Sequence, residues 1–175
     1  RRQIFVVFAG FLMVEKFGYS AAEITLLFMI NYAFNLFFAG RIGRLIGKIG
    51  ERNALIFEYT GLFFVFLGYA LVDTPEWAAA LYVIDHLFFA LALALKTYLQ
   101  KIADPADMVS TAGVSFTINH IAAVVIPVCF GFLWLSSPAI VFYVGAGMSI
   151  ISLVLSCNIP RTPCEGNEVW LLKWS

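Results

Sequence analysis

The sequence predicts an all-α membrane protein, a polytopic bundle of six transmembrane helices. Hydrophobic residues make up 62% of the chain and charged residues 13%, whereas a soluble domain has roughly 45–50% apolar and about 25% charged residues. The apolar excess is spread over the whole length, which excludes a soluble domain with a single anchor. The apolar runs are also continuous, which is typical of spanning helices and not of the alternating strands of a membrane barrel.

Six apolar segments account for this prediction, because a helix needs about 20 mostly apolar residues to cross a bilayer. Short polar breaks separate the segments, which cover residues 4–14, 22–46, 54–72, 77–100, 108–135 and 138–155. The first segment is too short to span alone, so we expect it to be the truncated front of a longer helix. Residues 1–155 then form one transmembrane bundle, and residues 156–175 form a polar tail.

Lysine and arginine predict the orientation of the bundle. The predicted segments place eight basic residues on one side: Arg41, Arg44, Lys48, Arg52, Lys96, Lys101, Arg161 and Lys173. The other side has only Lys16, with Arg1 and Arg2 left uncounted. The positive-inside rule then predicts that the richer side and the C-terminus are cytoplasmic.

A short internal similarity relates the second and fifth segments. Residues 28–32 read FMINY and residues 116–120 read FTINH, so that Asn31 and Asn119 occupy equivalent places about ten residues into each helix. At 1.5 Å per residue this depth is about 15 Å, near the bilayer midplane. The pattern predicts two inverted three-helix repeats, an arrangement typical of secondary transporters. Because only five residues are compared, coincidence stays open as the alternative.

The segment at residues 40–52, GRIGRLIGKIGER, resembles the cytoplasmic signature loop of major facilitator superfamily transporters. Gly43, Lys48, Gly50 and Arg52 match that loop, which reads roughly G-x-x-x-D-[RK]-x-G-R-[RK]. Gly47 stands where the family has an acid. Residues 82–134 also resemble bacterial permeases of this superfamily.

The resemblance implies the C-terminal six-helix half of a twelve-helix transporter in a bacterial inner membrane. It implies that the matching loop residues act as a conformational switch, and the alternative is a turn that only sets the topology. Glu58, one turn into the predicted third helix, could act with them by pairing with Arg44 or Arg52, or could extend to the membrane interface. The implied mechanism is alternating access between the two halves, and the implied partners are the lipid bilayer, a small-molecule substrate and the N-terminal half.

Ionisable and amide side chains within the predicted membrane segments are candidate substrate or ion sites. They are Asp85 and His86 in the fourth segment, Asn119 and His120 in the fifth, and Asn31 in the second. We hypothesise that Asp85 with His86 or His120 couples transport to protons. The alternative is a neutral histidine bonded to a helix carbonyl, and for Asn31 a bond between helices. Helical spacing also predicts that Asp85 and Lys96 share one face.

Arg2 is a further candidate, since its inferred depth would let Arg1 or Arg2 attract an anionic substrate; the alternative is an ordinary cytoplasmic flank. We expect no enzyme activity, because the two histidines form no zinc motif and no serine lies in a nucleophile-elbow pattern. We expect no metal, no cofactor and no nucleic-acid partner. A small non-transporting membrane protein or channel subunit, acting through helix association, is the competing function.

Overall fold

A computed structural model describes residues 4–104 and 106–170, and within these residues the chain is helical with no β-strand. A π-helical turn, Phe5–Ala9, leads into the first helix. The helices in chain order are α1 (Gly10–Phe17), α2 (Ala21–Ile49), α3 (Glu51–Leu71), α4 (Pro75–Ile102), α5 (Met108–Ser136) and α6 (Pro138–Cys157). Helices α2 to α6 are each long and apolar enough to cross a membrane. The prediction of an all-α chain with spanning helices is confirmed, and the inverted-repeat arrangement stays a prediction.

Local sequence signals set the helix ends. Ser20 and Glu23 form a capping box at the start of α2, each side chain bonding the backbone N–H of the other. Pro75 and Pro138 occupy the first turns of α4 and α6, where a backbone N–H would have no acceptor within the helix and its absence removes no hydrogen bond. The connection between α2 and α3 is the single residue Gly50, whose φ of 82° favours glycine.

The core lies where α3 packs along α6, which is the most extensive contact between helices in the described residues. Two glycines of these helices permit close approach. A Cβ on Gly145 of α6 would lie 2.9 Å from the Phe66 ring of α3, and one on Gly61 of α3 would lie 2.2 Å from the Phe88 ring of α4. Because a methyl group does not fit at either place, these glycines set the spacing of α3 from α6 and from α4.

Helices α2 and α5 lie at the margin of the bundle. Only 6% of the most apolar stretch of each is buried, against 44% for α3 and 33% for α6. The second and third helices of the two predicted three-helix units therefore follow the same order, exposed and then buried.

The bundle has two ends, which differ in their side-chain bonds. At the latch end, where α1 and α3 end and α4 begins, Lys16 bonds Asp73 at 3.0 Å and Tyr19 donates to the Pro75 carbonyl at 2.8 Å. At the tail end, where α3 begins and α6 ends, Lys101 bonds Glu51 at 2.7 Å.

The described part of the tail, up to residue 170, folds back on the tail end. Tyr98 of α4 donates to the Glu168 carbonyl at 2.6 Å, and the Trp170 N–H donates to the Asn158 carbonyl at 2.8 Å. Ile159 and Pro160 are buried. The tail, in which the sequence shows no strong pattern, is therefore packed against the helices.

Candidate functional site

Asp85 is the most enclosed of the predicted ionisable site residues that the structure describes, apart from Glu58. Its side chain lies within α4 and is only 3% exposed. The carboxylate interacts electrostatically with Tyr82, one turn earlier on α4, and with Tyr69 of α3. Tyr69 in turn directs its hydroxyl to the Ala78 carbonyl at 3.4 Å. The acid thus lies near the interface of α3 and α4, within electrostatic range of two tyrosine hydroxyls.

Asn31 of α2 is equally enclosed. Among the residues of α2, only Asn31 and Ile46 are buried, and Asn31 is 2% exposed. Neither its amide nitrogen nor its amide oxygen has a hydrogen-bond partner in the part of the chain that the structure describes. A buried polar group without a partner costs about 1–3 kcal/mol. Asn31 therefore retains both a donor and an acceptor for a molecule that enters this place.

The packing of α2 on α4 puts Asn31 and Asp85 at one level. Phe28 of α2 meets Tyr82 of α4 edge to face, with ring centroids 5.6 Å apart. Each of these two rings lies seven residues after the first residue of its helix, and Asn31 and Asp85 each lie ten residues after it. Because both helices start at the latch end, both polar side chains lie about 15 Å deep. We call Asn31, Tyr69, Tyr82, Asp85 and His86 the polar centre.

His86 belongs to the polar centre, but its ring contacts its own helix. Its Nδ1 lies 3.3 Å from the Tyr82 carbonyl, and its ring centroid lies 5.2 Å from that of Tyr82. The arrangement is the helix-carbonyl bond that was the alternative for a predicted membrane histidine. Asp85 is the next residue on the same helix, about 100° around it, so the two side chains leave α4 in different directions.

Asn119 and His120 of α5 lie apart from the polar centre. Both are exposed, and His120 places Nδ1 2.9 Å from the Phe116 carbonyl while its ring stacks on that of Phe116. Asp85 is buried, so the structure does not bring His120 to it within the described chain. All residues from 109 to 121 are exposed, which places more than three turns of α5 beyond the reach of the other helices.

Residues 40–52, which resemble the signature loop, are helical except at Gly50. Gly43 and Lys48 lie in α2 and Arg52 lies in the first turn of α3. The expected pairing of Glu58 with Arg44 or Arg52 is wrong: Glu58 is fully buried, Arg44 donates to the Gly40 carbonyl, and neither arginine pairs with an acid in the described residues. The reason is that α3 begins three residues earlier than predicted, which places Glu58 two turns deep.

The ion pair at this end joins Glu51 to Lys101 instead. The Glu51 carboxylate, 5% exposed, lies 2.7 Å from Lys101 Nζ in the last turn of α4. The expected common face of Asp85 and Lys96 is also wrong, since Asp85 is buried and Lys96 exposed. A 3₁₀ turn at Ala90–Ala92 lies between them and changes the angle per residue.

Sequence reasoning missed the bonds of the latch end. Glu15 accepts a hydrogen bond of 2.7 Å from Trp134 Nε1 of α5, and Lys16 donates to the Val72 carbonyl as well as to Asp73.

A cavity of about 400 Å³ lies beside these latch-end residues, between α1, α3, α5 and α6. Burial raises the pKa of the Tyr19 hydroxyl, and the Glu76 and Glu23 carboxylates raise it further. No pattern in the sequence links partners that are 56 to 119 residues apart.

The remaining site predictions concern Arg2 and metals. Arg2 lies outside the described residues. Within the described residues, no group of three or more His, Cys, Asp and Glu side chains could hold a metal ion.

Comparison with known proteins returned no match. This holds for family models, for curated proteins and for solved structures. The candidate site therefore rests on the geometry of the polar centre.

Proposed function

We propose that the chain is a six-helix half of a secondary transporter, in which the polar centre binds a small solute or its coupling ion. The observation that carries this proposal is the level shared by Asn31 and Asp85. Both side chains are buried about ten residues into helices of spanning length. Polar groups at such depth are costly and are retained chiefly for ion and substrate pathways.

The chemistry of the polar centre supports reversible binding. A carboxylate is expensive to hold as an anion at mid-depth, so Asp85 favours a proton or a cation as its companion. Asn31 offers an amide oxygen to a cation and an amide N–H to a solute acceptor. If the polar centre binds a proton and a solute from one side of the membrane and releases them to the other, it could couple the movement of the solute to that of protons.

The exposed face of α5 supports a half rather than a complete bundle. Residues 109–121 expose six polar side chains: Ser110, Thr111, Ser115, Thr117, Asn119 and His120. Ser115, Thr117, Asn119 and His120 lie seven or more residues into α5, about 10 Å or deeper, where lipid would surround them. Thr111, Ser115 and Asn119 follow at every fourth residue and so lie on one face. In a transporter built from two halves, the second half would cover this face and the cavity would lie between them.

Proton flux in proteoliposomes tests the proposal on the full-length protein. External pH would be recorded while a panel of metabolites is added, for the wild type, for Asp85→Asn and for the control Asp107→Asn. Asp107 has the same charge but is exposed at the start of α5. We expect a solute-dependent proton flux that falls at least tenfold in Asp85→Asn and is unchanged in Asp107→Asn.

Two other outcomes would count against parts of the proposal. Solute movement without proton flux would leave a facilitator and remove Asp85 from coupling. Equal fluxes for wild type and Asp85→Asn would remove the polar centre from the pathway altogether.

The competing function, a membrane protein that acts by association, is favoured by the same exposed face of α5. Cys129 on α5 is exposed and can report on it. In a variant with Cys157 and Cys164 replaced by serine, oxidative cross-linking in membranes would yield a dimer if copies of the chain meet through α5. Protection of Cys129 from alkylation without a dimer would indicate a second half that covers it.

A further inference from the structure

A second polar cavity lies at the tail end, away from the polar centre. Its volume is about 660 Å³, and it opens between the start of α3, the end of α6 and the folded tail. Its lining includes two arginines, two asparagines, a thiol and an indole: Arg52, Arg161, Asn158, Asn167, Cys157 and Trp170. The volume is in the range of sites that hold small molecules, about 300–1,000 Å³.

The lining of this cavity is positively charged. Among the described residues, it contains two guanidinium groups and no carboxylate. Of the acids that neighbour it in sequence, Glu51 bonds Lys101 at 2.7 Å and Glu168 accepts from the Gly166 N–H at 2.6 Å. Glu165 is exposed and does not line the cavity. In the part of the chain that the structure describes, Arg52 and Arg161 have neither an ion pair nor a hydrogen bond. Two guanidinium groups therefore line the cavity, and no acidic side chain of the described residues pairs with them.

The walls of the cavity are held by bonds that do not use the arginines. Asn167 donates to the Thr162 carbonyl at 2.9 Å, and the Trp170 N–H donates to the Asn158 carbonyl at 2.8 Å. The tail is anchored by Tyr98 at 2.6 Å, and Gly50 fixes the start of α3 beside it. A preformed pocket of this kind spends little binding energy on ordering its own side chains.

We propose that this cavity binds a phosphate group between Arg52 and Arg161. Guanidinium groups bind phosphate oxygens through paired, charge-assisted hydrogen bonds, and two of them match the oxygens of one phosphate. The phosphate belongs either to the headgroup of an anionic phospholipid, since the cavity lies at the ends of spanning helices, or to a soluble phosphate compound. The site is independent of the proposed transport function and of the polar centre.

Cys157 provides the test, because its thiol lines the cavity and is exposed. In full-length protein with Cys129 and Cys164 replaced by serine, the rate of alkylation by N-ethylmaleimide reports access to the cavity. This reagent is uncharged, so surface potential does not change its local concentration. Rates would be compared in nanodiscs of phosphatidylcholine alone, with added inorganic phosphate, and with about one third phosphatidylglycerol. Sodium chloride at matched ionic strength would replace phosphate in the reference sample.

The matched variants are Arg52→Gln/Arg161→Gln and Arg41→Gln/Arg44→Gln. Both remove two positive charges from the same end of the bundle, but Arg41 and Arg44 do not line the cavity. We expect phosphatidylglycerol or phosphate to slow alkylation at least threefold in the parent and in Arg41→Gln/Arg44→Gln. We expect no slowing in Arg52→Gln/Arg161→Gln.

The two sources of phosphate give different results. Slowing by phosphatidylglycerol alone assigns the site to a lipid headgroup, and slowing by inorganic phosphate assigns it to a soluble compound. The proposal is overturned if neither slows alkylation, or if slowing persists in Arg52→Gln/Arg161→Gln. Thermal melting would verify that this variant folds, and Arg161→Gln alone, which changes only an exposed tail residue, replaces it if it does not.

Discussion

The Glu15 carboxylate accepts a hydrogen bond of 2.7 Å from the indole N–H of Trp134, and this bond joins α1 to α5 across 119 residues. The indole is 6% exposed and packs against Phe8, with ring centroids 5.4 Å apart. Since α5 makes few other contacts with the bundle besides α6, this bond is a principal attachment of its latch end.

Trp134→Phe should therefore lower the stability of the bundle while keeping an aromatic ring in place. A hydrogen bond to a charged group contributes about 1.5–3 kcal/mol when buried, and the exposed Glu15 reduces this to roughly 1 kcal/mol. Thermal melting in detergent would measure the change. The control Trp77→Phe alters an indole that is 67% exposed, and equal melting of both variants would contradict a structural role for the bond.

The Glu51–Lys101 pair should respond unequally to removal of its two members. Glu51 is 5% exposed and Lys101 51%, so Lys101→Met leaves a buried carboxylate without its cation. Loss of one partner from a buried pair costs up to about 3–5 kcal/mol, and partial exposure makes roughly 1–2 kcal/mol our expectation. Glu51→Gln should cost less. Urea or thermal unfolding would rank the variants against Lys96→Met, an exposed lysine, and the reverse ranking would argue against the pair.

Gly145→Ala should disrupt the packing of α3 on α6. The new methyl group would lie 2.9 Å from the Phe66 ring, which is fully buried and has little room to move. Overpacking of this kind costs about 1–3 kcal/mol. Gly147→Ala is the control, because a Cβ there has no neighbour within 4 Å. Equal thermal stability of the two variants would mean that α6 shifts away from α3 without cost.

Tyr98→Phe should release the tail from the bundle. The lost hydrogen bond to the Glu168 carbonyl is 2.6 Å long and joins α4 to the described part of the tail. Trypsin cleavage after the exposed Arg161 would measure the release, and we expect it to accelerate about three- to fivefold, as a loss of roughly 0.7–1 kcal/mol implies. The control Tyr143→Phe, which changes a half-exposed tyrosine of α6, should be cleaved at the rate of the wild type.

Helix type and order were predictable from the sequence because they depend on local patterns. Continuous apolar runs, Pro138 in a first turn and the polar breaks gave five spanning helices with ends within a few residues of those observed. The break between the second and third segments, predicted at residues 47–53, is longer than the observed connection, which is Gly50 alone. Arginine and lysine are good helix formers, so α2 continues through Lys48 and α3 includes Arg52.

The polar centre was predictable only in part. Burial of Asp85 and Asn31 could be anticipated from ionisable and amide residues in apolar segments. Their common level could not, since it depends on how Phe28 meets Tyr82 between two helices. The proposed pairing of Asp85 with His120 depended on which faces of α4 and α5 contact each other, and a single sequence does not contain that information. The tail-end cavity was not predictable either, because Arg52 and Arg161 line one space only after the tail folds back.

The single-residue connection at Gly50 constrains how the chain enters a bilayer. One residue spans about 3.5 Å, so the end of α2 and the start of α3, helices of 29 and 21 residues, stay adjacent throughout insertion. We expect the two helices to insert as one antiparallel hairpin, because the connection has no length to form a loop on the membrane surface.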